Sequence, residues 1–341
     1  MKTKSNLRYT IPFAVCLLLI ALLLYYFFFC RLSSKNETDY LYIDDDDTVD
    51  SVLVKAKDIT SSHGYAGFST LMRHFINEDN LHTGRYAIEE SDGALNLFRR
   101  VRNGMQTPVH LTIPSVRTMD KIAAYIGEKM MIDSTAVIEA LTNEDTCQSL
   151  GFDTLTIAAL FIPNTYDIYW NISLENFLER MKKENDSFWN KERTSKAVQL
   201  KLTPTEVVTL ASIIDEETAN DAEKPMIAGM YYNRLQADMP LQADPTVKFA
   251  IGDFSLKRIY HNMLLINSPY NTYKNTGLPP GPIRVASIAG IDAVLNMVHH
   301  NYLYMCAKED FSGTHRFAQT YQEHMRNAER YSKALNERGI Q

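Results

Sequence analysis

The sequence predicts an α+β protein attached to one N-terminal transmembrane helix, and three observations carry that expectation. Residues Ile11 to Phe29 are almost wholly apolar and contain no charge. From about Tyr40 to about Ala140, short runs of β-favouring residues alternate with stretches of helical periodicity. Further on, the apolar helical stretch around Leu210 is followed by turns dense in Asn, Gln, Asp, Tyr, Pro and Gly.

A helix of about 20 residues matches a hydrocarbon core of about 30 Å. Pro12 sits near the start of the apolar stretch, and Lys2, Lys4 and Arg8 before it predict a cytoplasmic N-terminus for residues 1–9. A cleaved signal peptide has a shorter apolar core and small residues at its exit, whereas Phe27, Phe28 and Phe29 stand there. An uncleaved anchor over residues 10–30 is expected, with the rest of the chain outside the cytoplasm. Cys30 lacks the small preceding residues of a lipidation signal.

Residues 31–39 read as a short polar tether. Tyr40 to Ile43 reads as a strand, Asp44 to Asp47 as a solvated turn, and a helix begins near Val49. The acid run lacks the alternating ligands and glycine of a calcium loop. Arg85–Ile88 and Val109–Ile113 have strand character, and Leu95–Val101 and Met119–Ile126 have helical spacing. One or two small α+β units are therefore expected over residues 40–150, ahead of a larger α+β domain over 151–341. In that domain Thr203 is placed to cap a helix with Pro204 at its first position.

Composition narrows the function classes. The formal net charge of −6 argues against nucleic acid as a ligand. Cys147 and Cys306 are the only cysteines outside the apolar segment and its edge, too few for a disulfide framework. No Cys/His cluster has zinc spacing and no Gly-rich phosphate loop occurs, so neither a metal nor a cofactor is expected.

The most informative stretch is Leu210 to Asp221, which carries the acids Asp215, Glu216 and Glu217. On a helix, Leu210, Ile213 and Ile214 share a face with Glu217, while Asp215 and Glu216 point about 160° and about 100° away, toward solvent or a rim. A carboxyl held among Ile and Leu has its pKa raised, which makes it a proton donor near neutral pH. Taken alone, an acidic triplet on a solvated helix face is the commoner arrangement.

The residues downstream change that balance. Asp215-Glu216-Glu217-Thr218 is followed by Glu223, Asn233-Arg234-Leu235, Met239, Leu241-Gln242 and Asp244-Pro245-Thr246. Tyr270-Asn271-Thr272-Tyr273, Gly277-Leu278-Pro279-Pro280-Gly281-Pro282-Ile283, His315 and Phe317 complete the series. This order and spacing is similar to the endolytic murein transglycosylases, the MltG (YceG-like) family, strongly from about Phe161 onward. In the N-terminal half, Gly84-Arg85-Tyr86 and the segment from Ile113 to Leu141 resemble that family's membrane-proximal and LysM-like modules. Two positions depart from the family: it more usually has Glu where this chain has Asp215, and Asp where this chain has Asn164.

The resemblance implies a single-pass protein of the inner (cytoplasmic) membrane with a periplasmic or extracytoplasmic catalytic part that cuts nascent peptidoglycan glycan strands internally. It places the catalytic acid on Glu217. By carry-over Asp215, Glu223, Asn233, Gln242, Asp244, Thr246 and Tyr273 bind substrate or support the groove, although Asn233 and Asp244 equally fit a role in satisfying loop backbone. Tyr302, Tyr304, His315 and Phe317 read as packing residues of two strands around Gly313. The implied partners are glycan strands, with peptidoglycan synthases or division proteins as recruiters. Two other readings stand beside this one: a non-catalytic peptidoglycan-binding scaffold, and an unrelated envelope protein whose acid triplet faces solvent.

Overall fold

The computed structural model describes residues 3–256 and 258–338. Helix α1 spans Thr3–Phe28. Its 19-residue stretch Thr10–Phe28 has a mean hydropathy of 2.6 and is not buried by the rest of the protein. A helix this long and apolar, near the N-terminus, fits a membrane anchor or a signal sequence.

The chain folds into two compact units. Unit 1 comprises Met1–Leu111, Lys129–Ile132 and Tyr166–Ile172; unit 2 comprises Thr112–Glu128, Asp133–Thr165 and Ser173–Gln341. In unit 1, β1 (Asp39–Ile43) and β2 (Gly84–Ile88) pair antiparallel, with Leu41 opposite Tyr86. Helices α2 (Val49–Lys57), α3 (Ser62–Phe75) and α4 (Ala94–Arg102) enclose a core of Leu41, Ile43, Phe68, Tyr86 and Leu97. Thr48 closes a capping box at the start of α2, a device worth about 1 kcal/mol. The acid run makes the preceding turn, in which Lys55 bridges Asp44 and Asp47 at 3.0 and 2.5 Å.

The segment expected as a tether is built into this unit. Leu32 is fully buried, its N–H donates to Asp92 O at 2.6 Å, and its carbonyl accepts from Ser61 N at 2.7 Å. An apolar side chain and two backbone bonds anchor it there, where a tether would leave both to water. The end of α1 meets the unit just as closely, because a Cβ on Gly67 would lie 2.0 Å from Phe27 O.

A second strand pair joins β3 (Val109–Thr112) to β4 (Thr165–Ile168). Between them lie α5 (Met119–Lys129), α6 (Ser134–Thr142) and α7 (Glu144–Ser149). Unit 2 continues with α8 (Leu174–Phe188), α9 (Lys191–Gln199), α10 (Pro204–Glu217), α11 (Lys224–Gln236), α12 (Asp244–Ile251) and α13 (Ile288–Leu295). It ends with the antiparallel hairpin β5 (Tyr304–Ala307) and β6 (His315–Ala318), and with α14 (Tyr321–Glu337). Residues 112–128 pack with the C-terminal half, where Val285 N donates to Val116 O at 2.8 Å.

Helix α10 is the axis of unit 2. Thr203 Oγ1 accepts from Glu206 N while Glu206 accepts from Thr203 N at 2.7 Å, and Pro204 occupies the first turn. Every residue from Val207 to Ile214 is buried, and each fully buried Val, Leu or Ile contributes about 1.5–3 kcal/mol. Helices α11 and α13 pack against it through Ile227, Tyr231, Ile291 and Val294. A helix covered on all sides brings whatever follows its last apolar turn into the interior.

Candidate active site

Three consecutive acids follow that turn, and none of them forms a solvated face. Asp215 and Glu216, expected to point toward solvent or a rim, have side chains only 3% and 10% exposed. Asp215 pairs with Lys224 Nζ at 2.7 Å and accepts from Ser287 N at 2.6 Å, so its charge sits at the N-terminus of α13. Glu216 takes a two-pronged contact from Arg117, at 2.8 and 2.7 Å, and a third bond from Arg284 at 2.9 Å. Helical angle alone assigned these two outward because it could not include the cations that other segments bring to them.

Glu217 is different. It is the last residue of α10, and its Oε1 accepts a 2.7 Å hydrogen bond from Tyr231 Oη on α11. Among the described residues, no lysine or arginine forms an ion pair with it as they do with its two neighbours. Burial raises its pKa above the ordinary 4.5, the Tyr231 bond opposes that rise, and the nearby Asp244 charge adds to it. Burial, followed by the charge of Glu217, pushes Tyr231 well above the ordinary range, so it stays a hydroxyl and donates.

Glu217 and Tyr231 open on a cavity of about 310 Å³, also lined by Arg234, Leu241, Gln242, Asp244, Tyr273, Met305, Cys306, His315 and His324. A larger cavity, of about 860 Å³, lies among α6, α7 and α8 and shares no residue with it. Volume would favour the larger space; the acid with a raised pKa favours the smaller one.

Four of the residues anticipated from sequence line the smaller cavity: Glu217, Gln242, Asp244 and Tyr273. Tyr273 donates to Asp244 Oδ1 at 2.5 Å, which gives the cleft a second carboxylate with one oxygen engaged. Gln242 is held at φ +53°, a left-handed conformation costing about 1 kcal/mol or more for a residue with a Cβ. Arg234 stabilises it by donating to Leu241 O at 2.8 Å and to Pro240 O at 3.0 Å.

The other four do not line the cavity and act at one remove. Asp215 binds Lys224 and Ser287, as described. Asn233 donates to the carbonyls of His300 and Tyr302 at 2.7 and 3.0 Å, which fixes the approach to β5. Thr246 is fully buried and bonds Thr272 at 2.9 Å, tying the first turn of α12 to the Tyr270–Tyr273 turn. Glu223 holds His315, accepting from its backbone N at 2.6 Å and meeting its Nδ1 at 2.9 Å.

Tyr231 was missed by reading the sequence, although it lies two residues before the Asn233-Arg234-Leu235 element and on the helix that packs against α10. His324 was missed because α14 gives no local sign of reaching the cleft. His315, read as a packing residue, faces the cavity.

The class of protein that fold and cleft define is a mixed α and β protein presenting a half-buried carboxylic acid, steadied by a tyrosine, to a polar cleft. The chain belongs to the YceG-like family, whose model matches residues 41–330. It is 34% identical over 243 residues to the endolytic murein transglycosylase of Bacillus subtilis, an alignment covering 67% of this chain and 66% of that one. It is 30% identical over 294 residues to the endolytic murein transglycosylase of Streptococcus pneumoniae, covering 77% of this chain and 53% of that one. The chain thus spans somewhat under two thirds of the first relative and about half of the second. The crystal structure of a yceG-like protein from Listeria monocytogenes superposes with a TM-score of 0.55 at 27% identity, over 86% of this chain and 99% of that chain.

Proposed function

We propose that this chain is a membrane-anchored lytic transglycosylase that cleaves peptidoglycan glycan strands internally, with Glu217 as its general acid and then its base. The observation that carries the reading is the Glu217–Tyr231 pair: a carboxyl with a raised pKa, opening on a polar cleft, with one oxygen occupied by a hydroxyl donor. The names of the two relatives supply the substrate class.

With Oε1 engaged by Tyr231, the transferable proton resides on Oε2. Glu217 protonates the oxygen linking MurNAc to GlcNAc, and the bond from that oxygen to the MurNAc anomeric carbon breaks with oxocarbenium character. The MurNAc C6 hydroxyl oxygen then bonds to that carbon and returns its proton to Glu217. A 1,6-anhydro end results and no water is consumed. Tyr231 keeps Glu217 in place through both transfers, and Asp244 stands in the same cleft to favour developing positive charge. Glu223, Gln242 and Tyr273 shape the groove, while Asp215, Asn233 and Thr246 hold its frame.

In this reading residues 10–30 anchor the protein in the cytoplasmic membrane with the N-terminus inside. Residues 40–150 form the membrane-proximal and LysM-like region, and 151–341 form the catalytic domain.

The full-length protein in detergent, incubated with purified glycan strands, is expected to release anhydro-ended fragments, lighter by one water than hydrolytic products in mass spectrometry. Glu217→Gln is expected to release none. Equal release by both proteins overturns the assignment, and strand binding without any product from the wild type supports a scaffold instead.

A further inference from the structure

The cleft contains a second arrangement that the single-acid mechanism does not use. Glu223, at the N-terminus of α11, directs both carboxylate oxygens to one residue at the start of β6. Oε1 accepts from the His315 backbone N at 2.6 Å, and Oε2 meets His315 Nδ1 at 2.9 Å. A carboxylate only accepts, so Nδ1 carries the hydrogen and donates it. Thr218, next to Glu217, adds a weaker contact to Oε2 at 3.5 Å. The pair is well shielded, with side chains 16% and 9% exposed for His315 and Glu223. With Nδ1 committed, the remaining ring nitrogen is Nε2, which in the neutral imidazole is a hydrogen-bond acceptor, and His315 lines the same cavity as Glu217. A positive charge on His315 would lower the Glu217 pKa, which marks the two as electrostatic neighbours.

An orientation this specific exceeds what packing requires. A histidine that merely filled space beside β6 would need neither a carboxylate on Nδ1 nor a second bond from the same carboxylate to its backbone. We propose that His315 contacts substrate in the Glu217 cleft, its Nε2 accepting a hydrogen bond from a hydroxyl of the bound sugar, and that Glu223 is the positioning residue that fixes its tautomer. This deepens the glycan-cleavage reading and rests on it. A ring acceptor opposite the acid orients the sugar for proton transfer, and the carboxylate behind it keeps the neutral imidazole from taking the tautomer that presents a donor there.

Two substitutions separate this role from a structural one. His315→Asn places an amide N–H where Nδ1 was, preserving the bond to Glu223, and removes the group at the Nε2 position. Glu223→Gln has one oxygen for the backbone N–H and presents an amide donor to Nδ1, which drives the hydrogen to Nε2. Both are expected to lower kcat/KM on glycan strands by roughly tenfold or more, the equivalent of one lost substrate hydrogen bond, with cooperative unfolding retained.

The tautomer is read directly by ¹⁵N NMR of histidine-labelled full-length protein in detergent. In the neutral imidazole form, wild type is expected to give an unprotonated Nε2 at His315, and Glu223→Gln a protonated one. Adding glycan strands to Glu217→Gln protein is expected to shift the His315 Nε2 resonance. Turnover by His315→Asn within twofold of wild type overturns the proposal, as does a protonated Nε2 in neutral wild-type His315 or an unmoved resonance on strand binding. If wild type makes no product, the cleavage reading fails. The resonance test then still decides whether His315 touches the glycan.

Discussion

At the residue scale, the central pair is Glu217 and Tyr231. The tyrosine donates to the carboxylate and so opposes the rise in pKa that burial imposes. Removing that donor in Tyr231→Phe destabilises the charged form and raises the Glu217 pKa further. Because the first step needs the protonated acid, the alkaline limb of the rate profile is expected to move to higher pH. The maximal rate should meanwhile fall roughly tenfold through lost positioning. A pH series of anhydro-end release checks both, and an alkaline limb that moved down would contradict the donor assignment. Asp215 and Glu216 show how little three adjacent acids need share: each has its own cation or pair of cations, and of the three only Glu217 lines the cleft.

At the scale of elements, α10 gathers the site because its neighbours are tied to its last turn. Lys224 at the start of α11 and Ser287 at the cap of α13 both bind Asp215. The fit is tight enough that a Cβ on Gly290 would lie 2.6 Å from Asp215 Oδ1. Lys224→Met leaves a buried carboxylate without its cation and is expected to cost about 3–5 kcal/mol, measured by urea unfolding. Adding Asp215→Asn should recover much of that loss, since the neutral amide no longer needs the cation. A single variant as stable as wild type would mean the ion pair contributes nothing. The same logic explains why Asn233 and Thr246 fall outside the cavity: Asn233 fixes the approach to β5, and Thr246 ties α12, which begins at Asp244, to the turn that carries Tyr273.

At the scale of the whole molecule, α1 is the apolar element and its end runs directly into unit 1 through Arg31 and Leu32. If it serves as the proposed anchor, a junction this close leaves little slack between the membrane and the first folded residues. In the proposed orientation, protease added to spheroplasts is expected to digest everything beyond about residue 30, while a tag on the N-terminus stays protected until the membrane is permeabilised. Early digestion of the tag with the remainder protected would invert the topology.

Much of this was legible in the sequence. The apolar helix α1, the start of α10 at Thr203 and Pro204, and the strands at Tyr40–Ile43 and Arg85–Ile88 are written in local pattern. Periodicity and caps act within a turn or two, so neighbours in sequence suffice to predict them. The burial of α10 on every side was also foreshadowed by the run from Val207 to Ile214, in which only Thr209 and Ser212 are polar, although amphipathic spacing was read there instead. What only the tertiary structure decided is who meets whom. Glu216 finds Arg117 and Arg284 at separations of 99 and 68 residues, and Glu223 finds His315 across 92. A carboxylate's solvation and pKa depend on the groups that surround it in space, and those groups are brought together only when the chain is folded.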